Sequence, residues 1–175
     1  MLNIFIVTLI LILLLSSTLT NSWSVASVPG GYEADTGLWK GCMNIPPPVP
    51  GPIASKQRDM YPFSKGFTCK TVEELNDKLP TNLNLVRGLS IAGTAFVLIS
   101  LILYIAMPEN VNLFMALLMV GGILSIAAAI VWGTDKDLSS DATLKIKFGY
   151  SWYLGLIGGI LANIFALLFH FGVIA

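Results

Sequence analysis

The sequence predicts a membrane-embedded bundle of four α-helices, and three observations lead to that fold class. Of the 175 residues, 55% are hydrophobic and only 11% are charged, against about 25% charged residues in soluble domains. The mean hydropathy is +0.77, so folding in water would expose a large apolar surface. The apolar residues also form four stretches of roughly 20 residues or more, each long enough for a helix to cross about 30 Å of hydrocarbon.

The predicted spans cover residues 2–20, 85–107, 111–132 and 148–174. None contains Asp, Glu or Lys, and Arg87 stands at the start of the second. We expect helices because a segment in lipid must satisfy its own backbone hydrogen bonds. The first stretch also resembles a cleavable signal peptide. It lacks the basic residues that normally precede such an apolar run, so we expect it to be retained as a span.

Polar residues are concentrated in two connecting segments, 21–84 and 133–147, whereas the turn between the second and third spans has only residues 108–110. The whole chain, 1–175, is therefore predicted to be one four-span domain. With four spans, the two long segments lie on one side of the membrane, and the short turn and both termini lie on the other.

Two signals disagree on which side the long segments lie. All ten Lys and Arg residues lie in or beside these segments, which the positive-inside rule would place in the cytoplasm. The two cysteines, Cys42 and Cys69, both lie in the longer segment. Such a pair indicates a disulfide in an oxidising outer compartment, with free thiols or part of a metal site as alternatives. We favour the cysteines, because long loops translocate largely regardless of charge, and both termini are then cytoplasmic.

The sequence shows no constellation for catalysis or for a cofactor. Its one histidine, His170, lies in the fourth span, so the spacing provides neither a Ser/His/Asp set nor a Cys/His metal set. Ten basic residues balance ten acidic ones, so net charge does not indicate nucleic-acid binding. We therefore expect no enzyme activity, no metal or cofactor, no small-molecule substrate and no nucleic-acid partner. The expected partners are membrane lipid and other membrane proteins.

Small residues recur within the predicted helices. Gly155 and Gly159 form a GxxxG pattern, and Gly121 with Ser125 begins a second small-residue stripe. Such residues allow helix backbones to approach closely. We expect them to pack the four helices against one another, with an intermolecular face as the alternative.

One ordered set of residues carries a family resemblance. In chain order the set is Trp23, Gly37, Leu38, Trp39, Cys42, Cys69 and Arg87. This order, in which Gly-Leu-Trp is followed after two residues by cysteine, resembles the signature of the claudin superfamily. That group includes the claudins, the peripheral myelin and epithelial membrane proteins, the lens fibre membrane protein and the calcium-channel gamma subunits. Similar runs at 69–89, 120–124 and 148–155 extend the resemblance over nearly the whole chain.

The resemblance implies a left-handed four-helix bundle capped by an extracellular, five-stranded antiparallel β-sheet. Four strands would come from the first long segment and one from the second. Trp39 would anchor the sheet on the bundle, Cys42 and Cys69 would tie adjacent strands, and Arg87 would hydrogen-bond near the tryptophan motif. The 27 positions that separate the cysteines exceed the claudin spacing, so we expect the proline-rich segment, 45–52, to be an insertion.

Two functions follow from the resemblance. The first is cell–cell contact, barrier or paracellular-type assembly at the plasma membrane and its junctions, with the sheet binding other copies in cis and in trans. The second is an auxiliary, gamma-type subunit that binds an ion channel or receptor. Lys65 and Lys70 are candidates for a charge-selective lining, with a solvated strand edge as the alternative. The chain ends at Ala175, so we expect no cytoplasmic tail of the kind that binds PDZ scaffolds.

Overall fold

The computed structural model describes residues 2–28, 32–45, 66–71, 82–134 and 145–172. Within these ranges the chain forms four helices and five strands. In chain order the elements are α1 (Leu2–Leu19), β1 (Ser24–Val28), β2 (Tyr32–Thr36), β3 (Lys40–Ile45), β4 (Gly66–Thr71), α2 (Leu83–Ala106), α3 (Val111–Gly133), β5 (Lys145–Phe148) and α4 (Tyr150–His170).

The four helices pack as a ring in which each helix contacts two neighbours. Helix α1 packs against α2, α2 against α3, α3 against α4, and α4 against α1. Helices α2, α3 and α4 are long and apolar enough to cross a membrane. Helix α1 is equally apolar but shorter, at 18 residues. The predicted helical bundle is therefore confirmed with three candidate spans, and the fourth span stays a prediction.

The helix ends differ from the predicted spans by a few residues. Helix α4 begins at Tyr150 rather than at residue 148, because Phe148 belongs to β5 and pairs with Ser24 of β1. Helix α2 begins at Leu83, two residues earlier than predicted. Residues 173–174 of the predicted fourth span lie outside the described ranges. Hydropathy locates a span well, but it does not register the hydrogen bonds that end a helix.

The five strands form one antiparallel sheet in the order β4-β3-β2-β1-β5. Strand β5, from the second long segment, pairs with β1 and so returns the chain to the start of the first segment. Four rows of directly opposed residues cross all five strands, and the row that contains the two cysteines consists of Lys147, Val25, Asp35, Cys42 and Cys69. The antiparallel sheet expected beside the bundle is therefore confirmed.

The buried apolar residues form two clusters, one at each end of the bundle. The sheet-end cluster consists of Trp23, Leu38, Leu83, Val86, Ala128 and Trp132. The far-end cluster consists of Val7, Ile10, Leu11, Leu14, Val97, Phe114, Met115, Leu118, Ala162, Phe165 and Ala166. The sheet-end cluster combines residues of the helices with residues of the first long segment, and it is where the sheet is attached.

The stripe that begins at Gly121 lies where α2 and α3 touch. A Cβ added to Gly121 would come within 2.8 Å of the Gly93 carbonyl oxygen, and one added to Gly93 within 2.5 Å of the Ser125 hydroxyl. The Ser125 hydroxyl donates to the Gly121 carbonyl oxygen at 3.0 Å. The two backbones are thus too close for any larger side chain at these positions.

The GxxxG pattern of α4 faces two different neighbours. A Cβ at Gly155 would lie 2.6 Å from the Ser17 hydroxyl of α1. A Cβ at Gly159 would lie 2.8 Å from the Gly122 carbonyl oxygen of α3. Both glycines therefore allow close contacts inside the bundle.

Candidate functional site at the joint between sheet and bundle

The sheet-facing end of α1 needs hydrogen-bond donors from elsewhere in the chain. An α-helix leaves its last four carbonyl oxygens without helical partners, and α1 ends at Leu19. The Ser16 carbonyl accepts from the backbone N–H of Thr20 at 3.0 Å. The carbonyls of Ser17 and Thr18 instead accept from two tryptophan side chains of the first long segment. We call this region, from the last turn of α1 to the sheet, the joint.

Trp23 is the central residue of the joint. It is fully buried and donates its indole N–H to the Ser17 carbonyl oxygen at 2.8 Å. Its ring meets Trp132 of α3 edge to face, with centroids 5.5 Å apart, an arrangement that aromatic pairs favour. Its backbone N–H donates to the Thr36 carbonyl oxygen, and its own carbonyl oxygen accepts from the Gly149 N–H. Trp23 therefore connects α1, α3, β2 and the start of α4.

Trp39 and Arg87 form the second part of the joint. The Trp39 indole N–H donates to the Thr18 carbonyl oxygen at 2.6 Å. The Arg87 Nε–H donates to the Leu38 carbonyl oxygen at 2.7 Å, and the guanidinium lies 4.9 Å from the centre of the Trp39 ring. This contact is a cation–π interaction. A half-buried charge at the start of α2 is thus held by a backbone acceptor and an aromatic face.

Gly37 and Leu38 shape the turn that carries Trp39. The Gly37 N–H donates to the Lys40 carbonyl oxygen at 2.9 Å, which closes the turn between β2 and β3. A Cβ at Gly37 would overlap the backbone of Asn21, so glycine is required for this approach. Leu38 is fully buried in the sheet-end cluster. The turn therefore inserts an apolar side chain and an indole into the top of the bundle.

The start of α4 is fastened to the same region by Ser151. Its buried hydroxyl lies 2.6 Å from the Thr20 hydroxyl and accepts from the Ser22 N–H at 3.2 Å. The Ser151 N–H donates to the Ser22 carbonyl oxygen at 3.0 Å. A Cβ at Gly149 would overlap the Ser22 carbonyl group. The strand-to-helix connection from β5 to α4 thus packs directly on the segment that leaves α1.

The predicted disulfide is confirmed. Cys42 of β3 and Cys69 of β4 are directly opposed, with a Cα–Cα distance of 4.1 Å, and their sulfur atoms are bonded. Cys42 is buried, whereas Cys69 is exposed. The bond lies in the sheet rather than in the joint, so it holds β4 to β3 and leaves the attachment of the sheet to the tryptophans and Arg87.

Of the two candidate lining residues, the structure places one. Lys70 is in β4, opposite Gly41 of β3. Lys65 lies outside the described residues. The proline-rich insertion predicted at 45–52 also lies outside them, apart from Ile45, the last residue of β3.

Sequence reasoning missed several residues of the joint. Trp132, Ser151 and Gly149 each make a contact described above, and Thr18 supplies a carbonyl to Trp39. A tryptophan at the end of a span is a known signal for the membrane interface, which could have drawn attention to Trp132. Serine and glycine at the start of a span carry no comparable signal, because their partners are more than 100 positions away.

The joint can hold a protein surface in a fixed orientation. Among the described residues, no group of three or more His, Cys, Asp or Glu side chains could hold a metal ion. Fold and joint together define a class, namely a membrane protein with a helical bundle and a disulfide-bonded antiparallel sheet seated on the helix ends. No protein-family model matches the chain, and a search of curated proteins finds no match. Membership of the claudin superfamily therefore stays a prediction from the residues quoted above.

Proposed function

We propose that this protein is a claudin-like, four-span protein of the plasma membrane that acts in cell–cell contact or barrier assembly through its sheet. The observation that carries the proposal is the joint. Two buried or half-buried indoles and one guanidinium fix the sheet to the helix ends, so the sheet presents a surface of defined orientation beyond the bilayer. A rigid surface loses little conformational entropy when it binds a partner.

The fourth span of the proposal is α1. This helix contacts both α2 and α4, and its outer face carries exposed apolar side chains such as Phe5, Leu9 and Ile12. Its neighbours show the same pattern, for example at Ile102 of α2 and Ile164 of α4. A bilayer that surrounds the three longer helices would cover the outer face of α1 as well, and burial in lipid removes the cost of exposing these side chains to water.

The outward orientation of the sheet is supported by the disulfide. A bond between Cys42 and Cys69 persists in an oxidising compartment and is rare in the cytosol. With four spans, both termini and the turn that contains Glu109 would then lie in the cytoplasm. Cysteine labelling of intact cells under reducing conditions tests this topology, since a reagent that cannot cross the membrane should reach the two thiols without permeabilisation.

The experiment that tests the function is expression in cells that lack junctions of their own. We expect the wild-type protein to be enriched where two expressing cells touch and not where an expressing cell touches a non-expressing one. Arg87→Met, which removes the donor to Leu38 and the charge over Trp39, should abolish this enrichment. Glu109→Gln is the matched control, because it neutralises one exposed charge at the opposite end of the bundle. Surface biotinylation checks that both variants reach the plasma membrane.

Purification of the wild-type protein in mild detergent separates this function from the auxiliary-subunit function. Self-associated species without a constant foreign component support the contact function. Recovery of a channel or receptor at a fixed stoichiometry, together with absence of enrichment at contacts, would overturn it in favour of the auxiliary subunit.

A further inference from the structure

Among the four described helices, Asn163 is the one amide side chain that lies in the middle of a helix. It is about 10 Å from the nearer end of α4, at about 1.5 Å per residue. With α4 across a bilayer, this depth is within the hydrocarbon. The other amide and charged side chains of these helices lie at or near helix ends, and they are Asn3, Asn84, Arg87, Asn112 and His170.

The hydrogen bonds of the Asn163 amide are only partly made within the chain. One N–H donates to the Gly159 carbonyl oxygen, one turn earlier in α4, at 2.8 Å. The second N–H and the amide oxygen have no partner among the described residues. The side chain is half-buried, and its amide oxygen is not enclosed in the bundle. Lipid tails contain no donor, so this oxygen needs a partner from another molecule.

The position of the amide is set by its contact with α3. A Cβ added to Gly122 of α3 would overlap the Asn163 amide nitrogen, so the amide lies directly on this glycine. The contact holds the side chain at the outer border between α3 and α4. A polar group that is already held in place loses little conformational entropy when it binds a partner.

A line of side chains along α4 passes through Asn163, and every member is at least partly exposed. Its members follow one another in alternate steps of three and four residues, and they are Tyr153, Leu156, Ile160, Asn163, Leu167 and His170. We call this line the α4 seam. Left-handed pairs of helices pack through side chains with this spacing. Ile160 and Leu167, on either side of Asn163, are 41% and 43% exposed, so apolar side chains are available for contact around the amide.

The middle turns of α1 and α2 present outer faces of a different kind. Their exposed side chains are hydrocarbon, for example Leu9 of α1 and Ile91 of α2. The hydroxyl of Thr8 in α1 donates to the Ile4 carbonyl oxygen at 2.7 Å, within its own helix. Lipid can cover these faces without cost, whereas it cannot satisfy the amide of the α4 seam.

We propose that the α4 seam binds a second copy of this chain in the same membrane, and that the two Asn163 amides hydrogen-bond to each other. Copies inserted with the same topology are parallel, so their amides lie at the same depth in the bilayer. An amide is both a donor and an acceptor. Across a two-fold axis, each amide oxygen accepts from the free N–H of the other copy. The inference does not rest on the proposed contact function, because it requires only that α4 crosses the membrane.

Cysteine cross-linking tests whether two copies meet at the seam. Both native cysteines are bonded to each other, so an introduced cysteine is the single free thiol. The full chain is reconstituted in phosphatidylcholine bilayers and oxidised with copper phenanthroline. We expect Ile160→Cys to give a disulfide-linked dimer whose yield persists when the protein is diluted with lipid. Ile91→Cys is the matched control, because it replaces an isoleucine of similar depth that is 48% exposed on α2, across the ring of helices.

Substitution of Asn163 tests the role of the amide. Förster transfer between copies labelled at Glu109→Cys, in the exposed turn at the far end, measures the association constant in the same bilayers. We expect Asn163→Leu to weaken association by about threefold to tenfold, the effect of one or two hydrogen bonds between membrane helices. Asn163→Gln, which keeps the amide, should retain most of the association. The Gly159 carbonyl keeps its helical donor in both variants, and thermal unfolding verifies that the bundle is intact.

Three results would overturn the proposal. The first is equal cross-linking of Ile160→Cys and Ile91→Cys, which random collision would produce. The second is an association constant that Asn163→Leu leaves unchanged. The third is a wild type that is monomeric at every ratio of protein to lipid, in which case the seam faces lipid or a helix of a different membrane protein. The cross-linking comparison keeps Asn163 in place, so it decides the question even if a substitution of this residue disturbs folding.

Discussion

The two ends of the bundle are closed in different ways. At the far end, the turn between α2 and α3 is held by local backbone bonds, from the Met107 N–H to the Leu103 carbonyl at 2.8 Å and from the Asn110 N–H to the Met107 carbonyl at 3.0 Å. The helices there pack through a group of aromatic side chains, in which the ring centroids of Tyr104 and Phe114 are 4.8 Å apart. Volume and apolar area stabilise this end.

At the sheet end, the partners come from distant parts of the sequence. The last carbonyls of α1 depend on Trp23 and Trp39, and the start of α4 depends on Ser22, which is 129 positions from Ser151. Buried polar groups of this kind are costly when unpaired. The far end should therefore tolerate substitutions that preserve side-chain volume. At the sheet end, the loss of one hydrogen-bonding atom should already lower the stability of the protein. Four predictions test this difference.

The largest effect is expected from Gly149→Val. The added side chain would overlap the Ser22 carbonyl group, and a backbone atom cannot move aside as a flexible side chain can. We expect a loss of more than about 4 kcal/mol, in the range that only severe core disruption reaches. Size-exclusion chromatography and thermal unfolding in detergent measure it.

Gly88→Ala is the matched control, because a Cβ at Gly88 meets no atom within 4 Å. It should be neutral or stabilise α2 by up to about 1 kcal/mol. Equal unfolding temperatures for the two variants would contradict the assignment of Gly149 as a contact that excludes side chains.

The second effect is that of removing the disulfide with Cys42→Ser/Cys69→Ser. The bond closes a segment with a sequence separation of 27, and the chain-entropy model gives about 3 to 4 kcal/mol for a loop of this size. The loss should be local, because the bond lies in the sheet. Hydrogen exchange should accelerate in β4 and stay unchanged at the far end. Acceleration throughout the helices would show that the sheet and the bundle unfold as one unit.

The third effect comes from comparing Trp23→Phe with Trp132→Phe. The two rings touch, and each is at most 1% exposed. The Trp23 indole donates to Ser17, whereas the Trp132 Nε1 has no hydrogen-bond partner among the described residues. We expect Trp23→Phe to destabilise the protein by about 1 to 3 kcal/mol more than Trp132→Phe does, because only Trp23→Phe leaves a buried carbonyl, that of Ser17, without its donor. Unfolding titrations in sodium dodecyl sulfate provide the comparison, and equal losses would mean that only ring volume matters here.

The smallest effect is expected at the far end, from Tyr104→Phe. This change removes the hydroxyl that accepts from the Asn3 side chain at 3.3 Å and keeps the ring contacts with Phe114. Polar contacts between membrane helices average about 0.6 kcal/mol, so the loss should be of that size. A loss comparable to that of Trp23→Phe would remove the distinction between the two ends.

Much of the architecture could be predicted from the sequence, because it follows from composition. The long apolar stretches locate α2, α3 and α4, and the pair of cysteines indicates the disulfide. The family resemblance predicts that Trp39 and Arg87 lie at the attachment of the sheet. In the structure, the Arg87 Cζ atom is 4.9 Å from the centroid of the Trp39 ring.

Other features could not be predicted, for a physical reason. The end of β5 and the start of α4 are set by hydrogen bonds from Gly149 and Ser151 to residues 22 and 23, and hydropathy contains no information on such long-range pairs. The contact between Trp23 and Trp132 depends on where α3 lies in the ring of helices, which residue periodicity within one helix does not determine. The joint is thus visible in the sequence only where a known motif marks it.

The dependence of α1 on later residues has a consequence for biogenesis. The ribosome completes α1 first, but two donors for its last turn are made up to 20 residues later, and Ser151 is made only with the final helix. The sheet end of the bundle can therefore be completed only after nearly the whole chain has been synthesised. A shorter chain that lacks Ser151 cannot form the contacts of its hydroxyl with Thr20 and Ser22, so the joint is incomplete in it.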